Sequence, residues 1–265
     1  MPVSSEAALI SLYQFDNSTT DTVRGASGAA SVSGTSSYIS GVTGQAFNFN
    51  GSTYLAAPQA GAGLTAFSIS SWVYFESRTD WATIVKNWGS AIAGAYHFGL
   101  DGSQFKISNY LGTSAGTPSV LSGTLTTNTW YHVGVTFGAS GFQTLYIDGS
   151  QVSSASASGT INNNYSKMSM GAKLNDAQSG VGSPAGWLDG YMDDLAFFNQ
   201  ELTSTQISGI YDAGLAGNSV TTLGYAYEPY VDPLSSVPEP GTWATAALLA
   251  GGAAFMRWRK RTKVS

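Results

Sequence analysis

From Leu9 to Phe198 apolar and polar residues alternate in short runs separated by turn residues, the period-two pattern of strands with one buried face. Leu9–Phe15 (LISLYQF) reads as the first strand, and Phe47 and Phe49 alternate ahead of an Asn50-Gly51 turn. In FSISSWVYF (67–75), Phe67, Ile69, Ser71, Val73 and Phe75 share one face, and Ser68, Ser70, Trp72 and Tyr74 the other. WYHVGVTF (130–137) divides likewise, with Tyr131, Val133, Val135 and Phe137 opposed to Trp130, His132, Gly134 and Thr136. Shorter strands are predicted over 81–85, 95–100 and 104–109, the last two joined at Asp101-Gly102. A tight hairpin is predicted over 144–147 and 151–153, because Asp148-Gly149 tolerates the positive φ of a two-residue turn. The last long strand region is 186–198.

One segment has a different period. Thr203 and Gln206 make a T-x-x-Q capping box, Ile207, Ile210 and Tyr211 an apolar stripe, and Gly214 is placed to end the helix. Short strands with turn signals and one late helix predict an all-β antiparallel sandwich of jelly-roll type, not an alternating βαβ fold.

Composition adds the surroundings. The chain has 265 residues, 43% of them hydrophobic, enough for a substantial core. Only 10% are charged, against about 25% in ordinary soluble domains, and 37 Ser, 25 Thr and 32 Gly supply the surface instead. There is no cysteine, which excludes Cys-ligated zinc and Cys nucleophiles and fits a protein exported to oxidising surroundings. Charge is split along the chain. Residues 1–236 carry 6 Lys+Arg and 15 Asp+Glu, a net −9, whereas residues 237–265 carry 5 and 1, a net +4. An acidic body does not neutralise phosphates, so nucleic acid is not an expected partner. Met1–Ala7 lacks the basic and apolar regions of a secretion signal, so either the chain is cytosolic or the signal was removed or missed ahead of this numbering, and the C-terminal tail is expected to decide for a trimmed or misassigned start.

The stretches LYQFD (12–16), GQAFNFNGSTYL (44–55), FSISSWV (67–73), WYHVGVTF (130–137), LYIDGSQV (145–152) and LDGYMDDLAFFNQELTSTQISGIYDAG (188–214) together resemble, in order, the laminin-G-like and concanavalin-A-like domains. The resemblance spans residues 8–215 and implies two antiparallel sheets, one concave and one convex. Domains of this kind are mostly carbohydrate- or protein-binding modules, some holding a structural or bridging calcium, and a minority are glycosidases.

A glycosidase needs two carboxyls facing across a cleft, and no E-x-D-x-x-E strand pattern of the glucanase relatives occurs. Glu6, Glu76, Glu201, Glu228 and Glu239 are scattered through ends, loops and linkers. His97 and His132 both sit inside predicted strands, which makes a Ser/His/Asp triad hard to support. The chain is therefore expected not to be an enzyme. Asp189, Asp193 and Asp194 form the one acidic cluster, and Asp193 and Asp194, being adjacent, are expected on opposite faces of their strand. The resemblance implies one structural Ca2+ held by Asp193 or Asp194 with residues near the first strand, Asp16 or Asp21, beside Asn50; a plain turn or ion-pair role for these carboxyls is the alternative. For a ligand the available chemistry is aromatic, since sugar C–H patches pack on ring faces. Trp72, Tyr74, Trp88, Tyr96, His97, Tyr110 and His132 are the candidates to flank a concave face, with Trp72 first because Ser68 and Ser70 leave room beside it.

Residues 216–236, with Pro229 and Pro233, read as a linker. GTWATAALLAGGAAFM (241–256) is uncharged and is expected to form a short transmembrane helix, with the basic end 257–263 inside. The tail 237–265 resembles the C-terminal sorting signal called PEP-CTERM, in Val237, Pro238, Glu239 and Pro240, the apolar segment, and Arg257, Arg259, Lys260 and Arg261. That resemblance implies bacterial export, transient anchoring in the inner membrane, and processing by an exosortase-type enzyme before delivery to the cell surface or matrix. The expected function is a non-catalytic surface module binding an exopolysaccharide. A protein-binding adhesion or structural component whose partner is a surface protein, and an unrecognised glycoside hydrolase, are the alternatives.

Overall fold

A computed structural model describes residues 7–230. In chain order the strands are β1 (Ala8–Tyr13), β2 (Ser31–Ser33), β3 (Tyr38–Ser40), β4 (Gln45–Asn48), β5 (Tyr54–Pro58), β6 (Phe67–Phe75), β7 (Thr83–Asn87), β8 (Tyr96–Leu100), β9 (Lys106–Leu111), β10 (Ser119–Thr124), β11 (Trp130–Phe137), β12 (Phe142–Ile147), β13 (Ser150–Ser156), β14 (Lys167–Met170), β15 (Gly190–Phe198) and β16 (Ala226–Tyr227); helix α1 is Ser204–Leu215. They form two sheets. One has the order β13-β12-β11-β6-β15-β1-β16, with β4 added to β15 and β3 to β4; the other has the order β10-β9-β8-β7-β14-β5-β2. The pairings are antiparallel except β1 with β16.

The alternating patterns decide which sheet face is which. Phe67, Ile69, Val73 and Phe75 of β6 and Val133, Val135 and Phe137 of β11 point into the core between the sheets, where they meet Tyr96, Phe98 and Leu100 of β8 and Ile107 and Leu111 of β9. The other faces of β6 and β11 are covered too, because α1 lies across them. Ile207 and Ile210 join Leu9, Leu12, Phe198 and Leu202 in a second apolar cluster, and the predicted capping box is present at Thr203 and Gln206. Gly214 does not end this helix. It lies within α1 against Trp72, where a Cβ would come within 2.4 Å of Nε1, and the chain turns instead at Gly217, whose φ is +74°.

Residues 216–230, expected to be a linker, belong to the domain. Val220 is buried in the second cluster, β16 pairs with β1, and the Tyr230 hydroxyl bonds to the Ala62 carbonyl. Pro229 misleads because an extended segment can still pair along a sheet edge. The strands at 31–33, 38–40, 54–58, 119–124 and 167–170 are additions to the predicted set, most of them short and outside the alternating runs. Asp101-Gly102 opens a longer loop rather than a two-residue turn, whereas Asp148 and Gly149 have φ of +48° and +73°, as their hairpin requires.

The two sheets are joined at their edge by one guanidinium. Arg24 Nε meets Asp21 Oδ2 at 2.5 Å, Nη1 donates to the carbonyls of Pro58 and Gln59 beside β5, and Nη2 donates to the hydroxyls of Ser11 and Tyr13 in β1. Among the described residues no helix is long and apolar enough to cross a membrane. The expected span 241–256, the linker's last residues and the sorting motif lie outside the described residues.

Candidate carbohydrate-binding site

The seven-stranded sheet turns an uninterrupted row of paired positions to its outer face. Ser169 of β14 is opposite Lys86 of β7, Lys86 opposite His97 of β8, His97 opposite Tyr110 of β9, and Tyr110 opposite Ser119 of β10. Because β8 alternates, turning Tyr96 and Phe98 into the core turns His97 out. Around His97 stand three aromatic rings: Trp81 stacked at 5.4 Å, Tyr110 at 5.6 Å and Trp88 at 5.9 Å between ring centroids. They line a pocket of about 460 Å³, closed on one side by the loop after β7 (Trp88, Gly89, Ser90) and on the other by Lys173, Ser183 and Pro184. Trp81 adopts a φ of +64°, a conformation rare for a bulky residue, which places its ring against His97 rather than away from the sheet.

Asp176 fastens the two loops together. Its Oδ1 accepts from the Ser90 amide at 2.6 Å and from the Tyr165 hydroxyl at 2.8 Å, and these bonds, the Tyr165 one foremost, hold its carboxyl below the usual range. Lys86 Nζ donates to the Trp81 carbonyl at 2.5 Å, and Lys173 Nζ donates to the Ser90 hydroxyl at 2.9 Å and the Ser183 carbonyl at 3.3 Å. Burial, and then the charge of Lys173, pushes the Lys86 ammonium well below its ordinary pKa. Burial, followed by the two lysines, does the same to His97, whose Nε2 has no hydrogen-bond partner.

Three of the seven residues expected from sequence, Trp88, His97 and Tyr110, thus come together, and four do not. Trp72 is 4% exposed; Tyr211 of α1 stacks on it at 5.6 Å, and His132 packs against both, at 5.3 Å from Trp72 and 6.0 Å from Tyr211. It is a core residue, and the serines beside it bond elsewhere: Ser68 accepts from the Leu202 amide and donates to the Gln200 carbonyl, while Ser70 meets His132 Nε2 at 2.8 Å. His132 is fully buried, and that burial pushes its imidazole down to about 3, so it is neutral. Tyr96 is fully buried between Phe67 and Phe197. Tyr74 is partly exposed on the outer face of the other sheet, beside Trp130 and Tyr191. Sequence reasoning missed Trp81, Lys86 and Lys173; the one available signal was a lysine set among apolar residues in TIVKN in a chain with few cations.

The acidic residues also divide. Asp21 is committed to Arg24, and Asn50 bonds within its own turn, to Ser52. Asp16, Asp193 and Asp194 gather about the loop 41–45. Asp193 and Asp194 are not on opposite faces: β15 is bulged between Asp193 and Ala196, and Asp194 has a φ of +47°, so both carboxyls reach Thr43. Asp193 Oδ2 accepts the amides of Val42 and Thr43, Asp194 accepts the hydroxyls of Thr43 and Ser219, and Asp16 Oδ1 accepts the Gln45 amide. Gly41 and Gly44 allow this approach, since a Cβ on either would lie 2.4 Å or less from a carboxylate oxygen. Burial, then the Asp194 charge, pushes Asp193 up to about 8, and burial pushes Asp194 up to about 6. The buried oxygens here face N–H and O–H groups, with Asp193 Oδ1 buried without a partner. Among the described residues no group of three or more His, Asp and Glu side chains is arranged to hold a metal ion.

Solved structures share this architecture. Domain 4 of AbnA, a GH43 extracellular arabinanase from Geobacillus stearothermophilus in complex with arabinotriose, aligns over 77% of this chain and 98% of its own, with 20% identity and a TM-score of 0.54. The binding domain of botulinum neurotoxin DC in complex with SialylT aligns over 78% of this chain and 51% of its own, with 15% identity and a TM-score of 0.59. The binding domain of Paraclostridial Mosquitocidal Protein 1 aligns over 78% and 52%, with 15% identity and a TM-score of 0.55. This chain thus spans about half the length of the two toxin structures. No curated protein sequence matches it. The Laminin_G_3 family matches residues 49–208, from the strand-turn at Phe49 to the middle of α1, and the chain accordingly belongs to that family of the concanavalin A-like lectin/glucanases superfamily.

Proposed function

We propose that the domain is a non-catalytic carbohydrate-binding module that takes a polysaccharide segment in the pocket of the seven-stranded sheet. The observation that carries this reading is the set of three rings around His97, open to solvent and flanked by hydroxyl and carbonyl groups. Sugar rings pack C–H faces on such rings and satisfy their hydroxyls at the rim. The arabinotriose and SialylT complexes of the structural neighbours support the same class of ligand. The pocket lining contains no Asp or Glu, and hydrolysis of a glycosidic bond ordinarily requires two, which supports binding without catalysis. Trp88→Ala is expected to weaken polysaccharide retardation in affinity gels by about tenfold while leaving the unfolding midpoint unchanged. Retardation unaffected by this change would move the site elsewhere.

The same reading includes export. Residues 237–240, the uncharged run 241–256 and the basic cluster after it support sorting through the membrane with removal of the tail. Mass spectrometry of the mature protein from a host with an exosortase-type enzyme should find a chain ending near Pro240. A surface protein still ending at Ser265 would make the tail an ordinary anchor.

A further inference from the structure

Two of the six cations of the described residues lie in this one pocket. Lys86 is 2% and Lys173 7% exposed, and neither makes an ion pair among the described residues; the ion pairs found there belong to Arg24 and Arg78. Their hydrogen-bond acceptors are the neutral oxygens of Trp81, Ser90 and Ser183. The nearest acidic influence on Lys173 is Asp176, whose carboxylate is already taken up by the Ser90 and Ala91 amides and the Tyr165 hydroxyl. The third polar group in the pocket, His97 Nε2, is buried and without a partner.

Buried ammonium groups side by side repel one another and lose hydration, and the cost is relieved when a counter-charge enters. The remainder of the domain is acidic, with 13 Asp and Glu among residues 7–230, yet none of them lines the pocket. Evenly solvated lysines would merely keep the protein soluble; a pair withdrawn beneath aromatic walls is a charge with a direction. Trp81, Trp88 and Tyr110 line the same space as Lys86 and Lys173.

We propose that the pocket selects an anionic saccharide, a uronate residue of an acidic polysaccharide, whose ring packs on Trp81, Trp88 and Tyr110 and whose carboxylate is held between Lys86 and Lys173. This assignment rests on the carbohydrate reading above and narrows it to one chemical class. Charge-assisted bonds are stronger than neutral ones and are screened by salt. Neutral glycans of the same ring shape therefore bind more weakly, and the preference shrinks at high ionic strength.

The test uses calorimetric titration of the protein with uronate oligosaccharides from pectate, alginate and glucuronan, each paired with its carboxyl-reduced counterpart, which keeps the ring and removes the charge. At least one uronate is expected to bind about tenfold tighter than its reduced partner at low salt. Lys173→Met, which keeps most of the side-chain stem, should erase that difference, read as the ratio of charged to reduced affinity within the same variant. Lys86→Met is expected to do the same, and Lys173→Gln supplies the answer if the Lys86 variant does not fold. Equal binding of charged and reduced partners, or binding of neutral polysaccharides alone, overturns the anionic assignment and leaves the carbohydrate reading standing. A preference for sulfated over carboxylated glycans overturns the uronate. Binding of no glycan at all overturns both.

Discussion

Asp21→Ala is expected to destabilise the domain by roughly 3–5 kcal/mol, the range for breaking a buried ion pair from one side. The Arg24 guanidinium would keep its bonds to Pro58, Gln59, Ser11 and Tyr13 but would be left as a buried charge without a counter-charge. The substitution also strips acceptors from the Leu12, Val23 and Arg24 amides. Since single domains are held by about 5–15 kcal/mol in total, urea unfolding should show a large leftward shift of the midpoint. Asp21→Ala combined with Arg24→Met should lose less than the sum of the two single changes, because the stranded charge is gone. A loss under about 1 kcal/mol for Asp21→Ala would mean that the guanidinium bonds, not the ion pair, join the sheets.

Asp193→Asn should change the sign of its effect with pH. Asp193 and Asp194 titrate near 8 and 6 in the folded domain, against an ordinary 3.8. From about pH 4 to pH 8 the folded state therefore holds protons that the unfolded chain has released, and stability falls as pH rises through that window. An amide at position 193 can still accept the Val42 and Thr43 amides through its oxygen, and it carries no charge to desolvate. At pH 8.5 the variant is expected to be more stable than the parent by roughly 2–4 kcal/mol. At pH 3, below the ordinary value of 3.8, Asp193 is protonated in both the folded and the unfolded chain, so the advantage disappears and the new, unpaired N–H2 makes the variant slightly the weaker. Unfolding curves at both pH values decide the matter. If Asp193→Asn loses stability throughout and added calcium raises the parent's midpoint, a cation and not a proton occupies this corner.

The strands and the helix were legible because their signals are local. Alternation in 67–75 and 130–137 assigns both faces correctly, and the capping box at Thr203 depends on residues three apart. What the sequence could not reveal is which outer face is covered. Trp72 with Ser68 and Ser70 has the composition of an open sugar-binding face, and only the return of α1 across β6 and β11 buries it. The pocket has the same origin. Lys86, His97 and Tyr110 lie on three consecutive strands and become neighbours through strand register, which the geometry of the irregular connecting loops sets. The bulge at Asp193 defeats the alternation rule outright, since one extra residue carries the next side chain to its neighbour's side.

The position of β15 bears on the order in which the chain can be made. It lies between β6 and β1, so β1 has no partner on that side until residues 190–198 are available, and β6 waits about 120 residues for its own. At ribosomal rates of about 5–20 residues per second that interval is roughly 6 to 25 s. Throughout it the nascent chain carries two apolar strands with vacant edges, the arrangement most prone to pairing between molecules. Synthesis of this protein therefore depends on keeping its first two-thirds apart from neighbouring copies, and the last long strand acts as the closing stave of the sheet.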